Sequence, residues 1–447
     1  MFLGFIAIIG LCCLLAWHNW RWGLWSAIFI GILQDPVRKV LPGVPAYLTL
    51  STVPIWLAVA VSVLVNQRSV VSRFMQSFPV LAGHLSRFAV YLIIPMVLSL
   101  TYGRGTWQIT LLGVFVYSAG FALLLTGWSG WKDFSQIDQL LGVYAIVTGV
   151  MLTGGLLEYL GWGSRSVLIG TDVFDHVWVT HRTGEAVYML AGFFRSPDVM
   201  GWHAVMVVMI AFILVMRSRG QTRVLWTGLV LWGLIALWVC GRRKMIGMLP
   251  IFWGSYVLLV FRIRGIRRIL SIALASGLVL LLGVYVIGQV YPDSPASRFY
   301  MTILDELDEQ IVRHGYRAVI TTVNQAGFLG YGLGMSQQGV HNINAEKPRL
   351  WQESGPSKLV AEFGVPGSIL FLLLGYALFR TAYEVIKLHR GRDTIELFAG
   401  LFSIFIANLA TSVVSAQIYG DPFVVLFLTF LMGALLAGGR MGKMLKC

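Results

Sequence analysis

Apolar runs long enough to cross a lipid bilayer recur along almost the whole chain, and no other feature restricts its fold so tightly. A helix covers the hydrocarbon core with about 20 residues. Runs of that order lie near residues 2–17, 20–33, 46–65, 86–101, 107–127, 139–157, 199–216, 223–240, 245–261, 269–290, 362–382, 395–415 and 421–438. With 57% of 447 residues hydrophobic and 12% charged, a water-soluble core could not absorb this surface, so lipid is the solvent for most of it. The expected fold is all-α: a polytopic transmembrane helix bundle of about 12–14 spans. Residues 1–447 are read as a single integral membrane domain.

Two polar stretches interrupt the rhythm, at 158–198 and 291–361. Short basic runs sit between spans: RSRGQTR (Arg217–Arg223), RIRGIRR (ending at Arg268) and the tail RMGKMLK. Basic loops mark the cytoplasmic side, so both long polar loops fall on the far side. Their acids agree, with Glu158, Asp172 and Asp198 in one and Asp305, Glu306, Asp308 and Glu309 in the other. The same assignment puts GRRK (Gly241–Lys244) outside, against the trend. The formal charge of +14 is thus spread over short loops, and nucleic acid is not an expected partner. Phe2–Trp17 has neither a basic leader nor an A-x-A site and is read as a retained span. Cys12, Cys13, Cys240 and Cys447 form no C-x-x-C, so neither a disulfide framework nor a zinc site is expected.

Within the second loop, SRFYMTILDELDEQIVRHGYRAVITTVNQAG has helical spacing. Ile303, Leu307, Ile311, Ala318 and Val319 approximate one apolar face, as in a lid lying along the membrane surface. GFLGYGLG follows, where glycines permit a tight turn or a close approach of the backbone. QDPVRKVLPG (Gln34–Gly43) is a distinctive stretch with no evident chemistry.

Three kinds of group recur near the outer span ends. Arg195, Arg242, Arg243 and Arg317 carry guanidinium forks that fit phosphate oxygens two at a time. One such arginine alone reads as snorkelling; several on the side that basic residues avoid point to an anionic ligand. Glu353 lies before a helix start, where a carboxylate held ionised by nearby cations can serve as a base. Glu362, further on, reads as a first-turn acid favoured by the helix dipole. His341, in GVHNINAEKPR, is the second candidate base. No H-E-x-x-H, G-x-S-x-G or Walker loop occurs, and no metal or cofactor is expected.

FFRSPDVMGWHA (Phe193–Ala204), GRRKMIGMLP (Gly241–Pro250), HGYRAVITTVNQAGFLGYGLG (His314–Gly334) and EFGVPG (Glu362–Gly367) give the C-terminal two thirds a likeness to a known family. The chain resembles the O-antigen ligase and polymerase superfamily of bacterial membrane glycosyltransferases. That resemblance implies a multi-pass protein of the inner membrane, with its active site facing the periplasm. It implies transfer of a glycan from undecaprenyl diphosphate without a metal. It also implies diphosphate binding by Arg195 and by Arg242 or Arg243, with Arg317 matching an arginine of the family's loop. The family places a His-Asn pair eleven residues before the first glycine of its ELGxxG-like helix start. Here, counting back eleven from Gly364 reaches Glu353, and the pair His341-Asn342 lies twelve residues further upstream. Either Glu353 has replaced the histidine or a longer loop still brings His341 to the site; the preserved spacing favours Glu353.

The expected function is therefore an O-antigen or exopolysaccharide polymerase or ligase. Its partners would be a lipid-linked oligosaccharide donor, a glycan acceptor and membrane lipid. The alternative is a transporter or flippase for an anionic lipid or polysaccharide, a class in which two similar halves and interrupted helices are usual.

Overall fold

The computed structural model describes residues 2–174, 177–180, 187–264, 311–337, 340, 343, 354–389 and 394–444. Among these the chain is all-α apart from one antiparallel pair of two-residue strands, Val179–Thr180 and Val187–Tyr188. Ten of the described helices are long and apolar enough to cross a membrane: Ala46–Asn66, Pro79–Ser99, Thr106–Ser129, Phe134–Tyr159, Pro197–Arg217, Gly220–Val239, Arg243–Ile263, Gly355–Leu388, Thr394–Val414 and Pro422–Met441. The protein is a multi-pass membrane protein. Phe2–His18 is a shorter apolar helix, and the span expected at 269–290 lies outside the described residues.

QDPVRK is helical. The second helix runs from Trp20 to Val40, straight through Pro36. Its apolar run ends at Leu33, and the helix carries its charged end seven residues further. Basic Arg38 and Lys39 fall in its last turn, where the helix dipole favours them.

One compact unit comprises residues 1–55, 132–307 and 389–408. Its core is the helix Pro197–Arg217, every residue of which from Pro197 to Leu214 is buried. Ser196 caps it, with the hydroxyl accepting from Val199 N at 3.4 Å, and Pro197 takes the first position, where its missing N–H is harmless. Its polar side chains are paired internally: Trp202 Nε1 donates to Asn408 Oδ1 at 2.9 Å, and Tyr144 Oη meets His203 Nδ1 at 2.9 Å. At its far end Arg217 grips Asp138 with two contacts, Nε–Oδ1 at 2.8 Å and Nη2–Oδ2 at 2.6 Å.

The other unit comprises residues 56–131, 308–388 and 409–447. Its helices Thr106–Ser129 and Pro422–Met444 touch through glycines. A Cβ on Gly127 would strike Phe430 O and one on Gly433 would strike Leu124 O, the close approach that small residues allow in membranes. Arg440 Nη2 closes the end of the first of these helices, donating to Trp131 O at 2.6 Å and Ser129 O at 3.1 Å.

The expected lid segment is helical where described, as a π-helical turn Ile311–Arg317 followed by the α-helix Ala318–Ala326. After Gly327 the chain runs through Gly330, Gly332 and Gly334, all at positive φ (77°, 103° and 85°). Here the glycines bring backbone onto helices. Tyr331 N donates to Ala361 O at 2.7 Å and Leu333 N to Pro95 O at 2.9 Å, while a Cβ on Gly334 would strike Ile109 O. This segment meets the long helix Gly355–Leu388 where that helix breaks, at Gly364 (φ 65°, ψ −172°).

Candidate functional site

The first unit gathers charge around the turn that precedes its central helix. Gly192 adopts φ +59° and lies against Gly154 and Gly155, so close that a side chain would strike Gly155 N. The peptide there is held from both sides. Glu158 Oε2 accepts from Ala191 N at 2.9 Å and Gly192 N at 2.6 Å, and Lys39 Nζ donates to Gly192 O at 2.7 Å and Leu168 O at 3.2 Å. Lys39 is buried, and burial pushes its ammonium down to about 8, with Asp35 and then Glu158 opposing the shift.

This clasp sets the position of Arg195. Its backbone N donates to Asp35 Oδ2 at 3.1 Å, and its Nη1 reaches Oδ1 at 3.0 Å and Oδ2 at 3.3 Å. Asp35 is only 2% exposed. One turn along the same helix, Arg38 lays its guanidinium over Phe174 at 4.7 Å and donates from Nε to Val44 O at 3.2 Å. Burial lowers the Arg38 pKa from its ordinary value; Asp35 opposes that and Arg195 adds to it. Arg38, Gly43, Val44, Val173, Phe174, Trp178, Arg195 and Ser196 line an open cleft of about 570 Å³.

The Trp178 wall of the cleft is backed by a second cation. Arg242 lies over the Trp178 ring at 4.9 Å, and its Nη2 stands 2.8 Å from Asp198 Oδ2 without hydrogen-bond alignment. Lys244 Nζ lies 2.7 Å from the other oxygen of the same carboxylate. Arg38 and Arg195 thus line the cleft and Arg242 stands behind its Trp178 wall, with Asp35 against Arg195, Asp198 against Arg242, and aromatic faces under Arg38 and Arg242. Such a cleft suits an anion bearing a planar or apolar group.

Of the residues singled out from sequence, Arg195 and Arg242 come together around Trp178. Arg243 follows as the first residue of the short helix Arg243–Ile246. Arg317 belongs to the other unit, exposed where the π-helical turn passes into Ala318–Ala326. Glu353 and His341 lie outside the described residues. Sequence reasoning missed Asp35, Arg38, Lys39, Glu158, Phe174 and Trp178. The signal for the first three was their spacing: positions 35, 38 and 39 share one face of a helix.

The second unit has a polar centre of its own, and it corrects the reading of Glu362. This residue is not in a first turn; it sits two residues before the break at Gly364, near the end of the limb that starts at Gly355. It is 1% exposed. Its Oε1 accepts from Ser336 N at 3.2 Å, Ser336 Oγ at 2.8 Å and Gln337 Nε2 at 3.0 Å, and its Oε2 accepts from Tyr117 Oη at 2.8 Å. Hydrogen bonds rather than the dipole keep this acid inside the protein. One turn before it, Lys358 Nζ reaches Ala416 O at 3.5 Å.

No protein-family model matches this chain, and no curated protein matches it either. What fold and composition define is the class, an all-α multi-pass membrane protein.

Proposed function

We propose that this chain is a metal-independent glycosyltransferase of the bacterial inner membrane. It transfers or polymerises an undecaprenyl-diphosphate-linked oligosaccharide onto a sugar hydroxyl at the periplasmic face. The acceptor oxygen bonds to the anomeric carbon while the bond from that carbon to the diphosphate breaks, and the diphosphate leaves with the electron pair. Attack from the opposite face inverts the centre. Glu353 takes the hydroxyl proton, with His341 the second candidate for that role. Arg195, Arg242 and Arg243 hold the diphosphate and stabilise the charge it gains on leaving, with Arg317 as a further anion contact.

The observation that carries this reading is the cleft in which Arg195 and the Arg242-backed Trp178 meet. Its position agrees with the charge rule. Arg217, at the end of Pro197–Arg217 that the charge rule assigns to the cytoplasm, lies 21 positions along the chain from Ser196, at the cleft. At 1.5 Å per residue that is about 30 Å, one hydrocarbon thickness.

The test of the base is glycan length in cells carrying Glu353→Gln. The variant is expected to accumulate lipid-linked single repeat units and lose long-chain product by at least about 100-fold, the scale of general-base catalysis. Undiminished long chains would remove Glu353 from the reaction.

One observation favours a carrier of anionic lipid or polysaccharide instead: the helix Gly355–Leu388 is interrupted at Gly364 with a buried acid beside the break. Interrupted helices are common in transporters, where they usually come in matched pairs. Purified protein given lipid-linked donor and no ion gradient separates the two. Covalent extension of the glycan supports the enzyme; movement of lipid without bond formation supports the carrier.

A further inference from the structure

An arginine on the helix Pro79–Ser99 has no part in the reading above, and it stands where a lone charge is costly. Arg87 lies eight residues from Pro79 and twelve from Ser99. At 1.5 Å per residue that is about 12 Å and about 18 Å from the two ends, within the hydrocarbon. Its side chain is exposed, and it makes no hydrogen bond, ion pair or ring contact among the described residues. We infer that this face of the helix docks a transmembrane helix of a second, different protein, which brings a carboxylate to the level of Arg87.

Three observations support it. First, charged side chains inside a membrane turn toward the bundle and pair there. Arg217 does so on Asp138, and Arg440 on the carbonyls of Ser129 and Trp131. Arg87 does not. Arginines close to a span end reach the headgroups instead, but the nearer end is here more than two turns away. That end is the cytoplasmic one: a Cβ on Gly439, beside Arg440 and the basic tail, would touch Phe78.

Second, Arg87 belongs to a seam. Val80, Arg87 and Ile94 recur every seven residues, and so do Gly83, Val90 and Val97. These are the a and d positions of a heptad, and the five side chains among them are exposed. A Cβ on Gly83 would meet nothing, so a second helix can approach closely there. One polar side chain at an a position is the device by which paired helices fix partner and register.

Third, this chain has no acid to offer the seam. Every copy enters the membrane the same way up, so a symmetric pair meeting on this face would set Arg87 against Arg87. In the described spans Asp138, Glu158, Asp198 and Glu362 are bound within their units, Glu396 is buried, and Glu384 is bound to Lys387. Residues 269–290 contain no acid. The acids outside the described residues fall in the two long loops that the charge rule puts on the far side, or at Asp393, past Leu388. The matching carboxylate therefore belongs to another protein.

The test places a photo-reactive phenylalanine analogue at Val90, exposed on the same seam one turn from Arg87, in full-length protein in its native membrane. Irradiation is expected to give one discrete protein adduct. Its cross-linked segment should be an apolar span of another protein, with an Asp or Glu at the depth of Arg87. Arg87→Leu should cut the adduct by about fivefold or more, and Arg87→Lys should keep most of it. Replacing the acid of the captured protein by leucine leaves this chain untouched and should cut the adduct equally. The same analogue at Leu231, exposed on the helix Gly220–Val239, should not give it.

Adducts to lipid alone, an adduct of twice this chain's mass, or a captured span without an acid would each overturn the inference. So would equal capture from Leu231, or an adduct as strong in Arg87→Leu protein, monodisperse on gel filtration, as in wild type. None of these outcomes bears on glycan transfer, so the docking face stands or falls apart from the proposed function.

Discussion

Glu362→Leu protein is expected to be recovered from membranes at a small fraction of the wild-type yield, with a broad, aggregated profile on gel filtration. The leucine fills the space but takes away the one acceptor seen among the described residues for Tyr117 Oη, Ser336 N and Gln337 Nε2, while Ser336 Oγ keeps Lys358 O. A buried donor left unpaired costs about 1–3 kcal/mol, and three of them together cost on the order of 3–9 kcal/mol before any relaxation. That is comparable with the roughly 5–15 kcal/mol by which a whole domain is stable. Lipid offers no water to repair the loss. Glu362→Gln should be far milder, because its amide oxygen can keep the Ser336 and Gln337 donors while its NH₂ donates to the Tyr117 oxygen. The thermal midpoints of the two variants in detergent decide the matter; a leucine variant that melts with wild type would show that the four bonds contribute nothing.

The second large effect concerns Asp35. Its replacement by alanine takes from Arg195 the buried carboxylate that its Nη1 meets at 3.0 Å. Removing one member of a buried pair typically costs about 3–5 kcal/mol, mostly through the charge left behind. The Asp35→Ala variant should therefore be both less stable and inactive. The double variant Asp35→Ala/Arg195→Met, which removes the stranded charge, should regain much of the stability and none of the activity. A double-mutant cycle on the thermal transition gives the coupling, expected at about 2 kcal/mol or more. Losses that merely add would show that the 3.0 Å contact contributes no net energy.

Much of the fold was legible because lipid imposes so few solutions. Spans show in the length of apolar runs, and the expected run at 107–127 became the helix Thr106–Ser129, that at 199–216 the helix Pro197–Arg217. The failures have specific causes. The apolar run near 20–33 is shorter than the helix, which continues to Val40 through Pro36; a proline forfeits one hydrogen bond and does not force an end when neighbouring helices support the turn. With the span read only to residue 33, the common face of Asp35, Arg38 and Lys39 could not be seen. Glu362 was misread for a different reason. Its position near EFGVPG fits a dipole argument, while its true partners lie 245 residues away at Tyr117 and 26 and 25 residues away at Ser336 and Gln337. Spacing along a chain says nothing about pairings of that separation. Arg195 and Arg242 were singled out because they defied the charge rule, a local signal; Trp178 and Phe174, ordinary aromatics in a polar loop, carried none.

The burial of Pro197–Arg217 bears on how this protein is made. Its hydrophobicity is enough for it to enter the bilayer as soon as it is synthesised, with a mean hydropathy of 2.4. Its foot can be secured at once, because Asp138 precedes Arg217 in the chain. Its head cannot, because Arg242 and Lys244, which hold Asp198, have yet to leave the ribosome. Between those two moments the helix is a lodger in the membrane, anchored at one end, and a nascent chain stalled before Lys244 is the form in which quality-control proteases should find it.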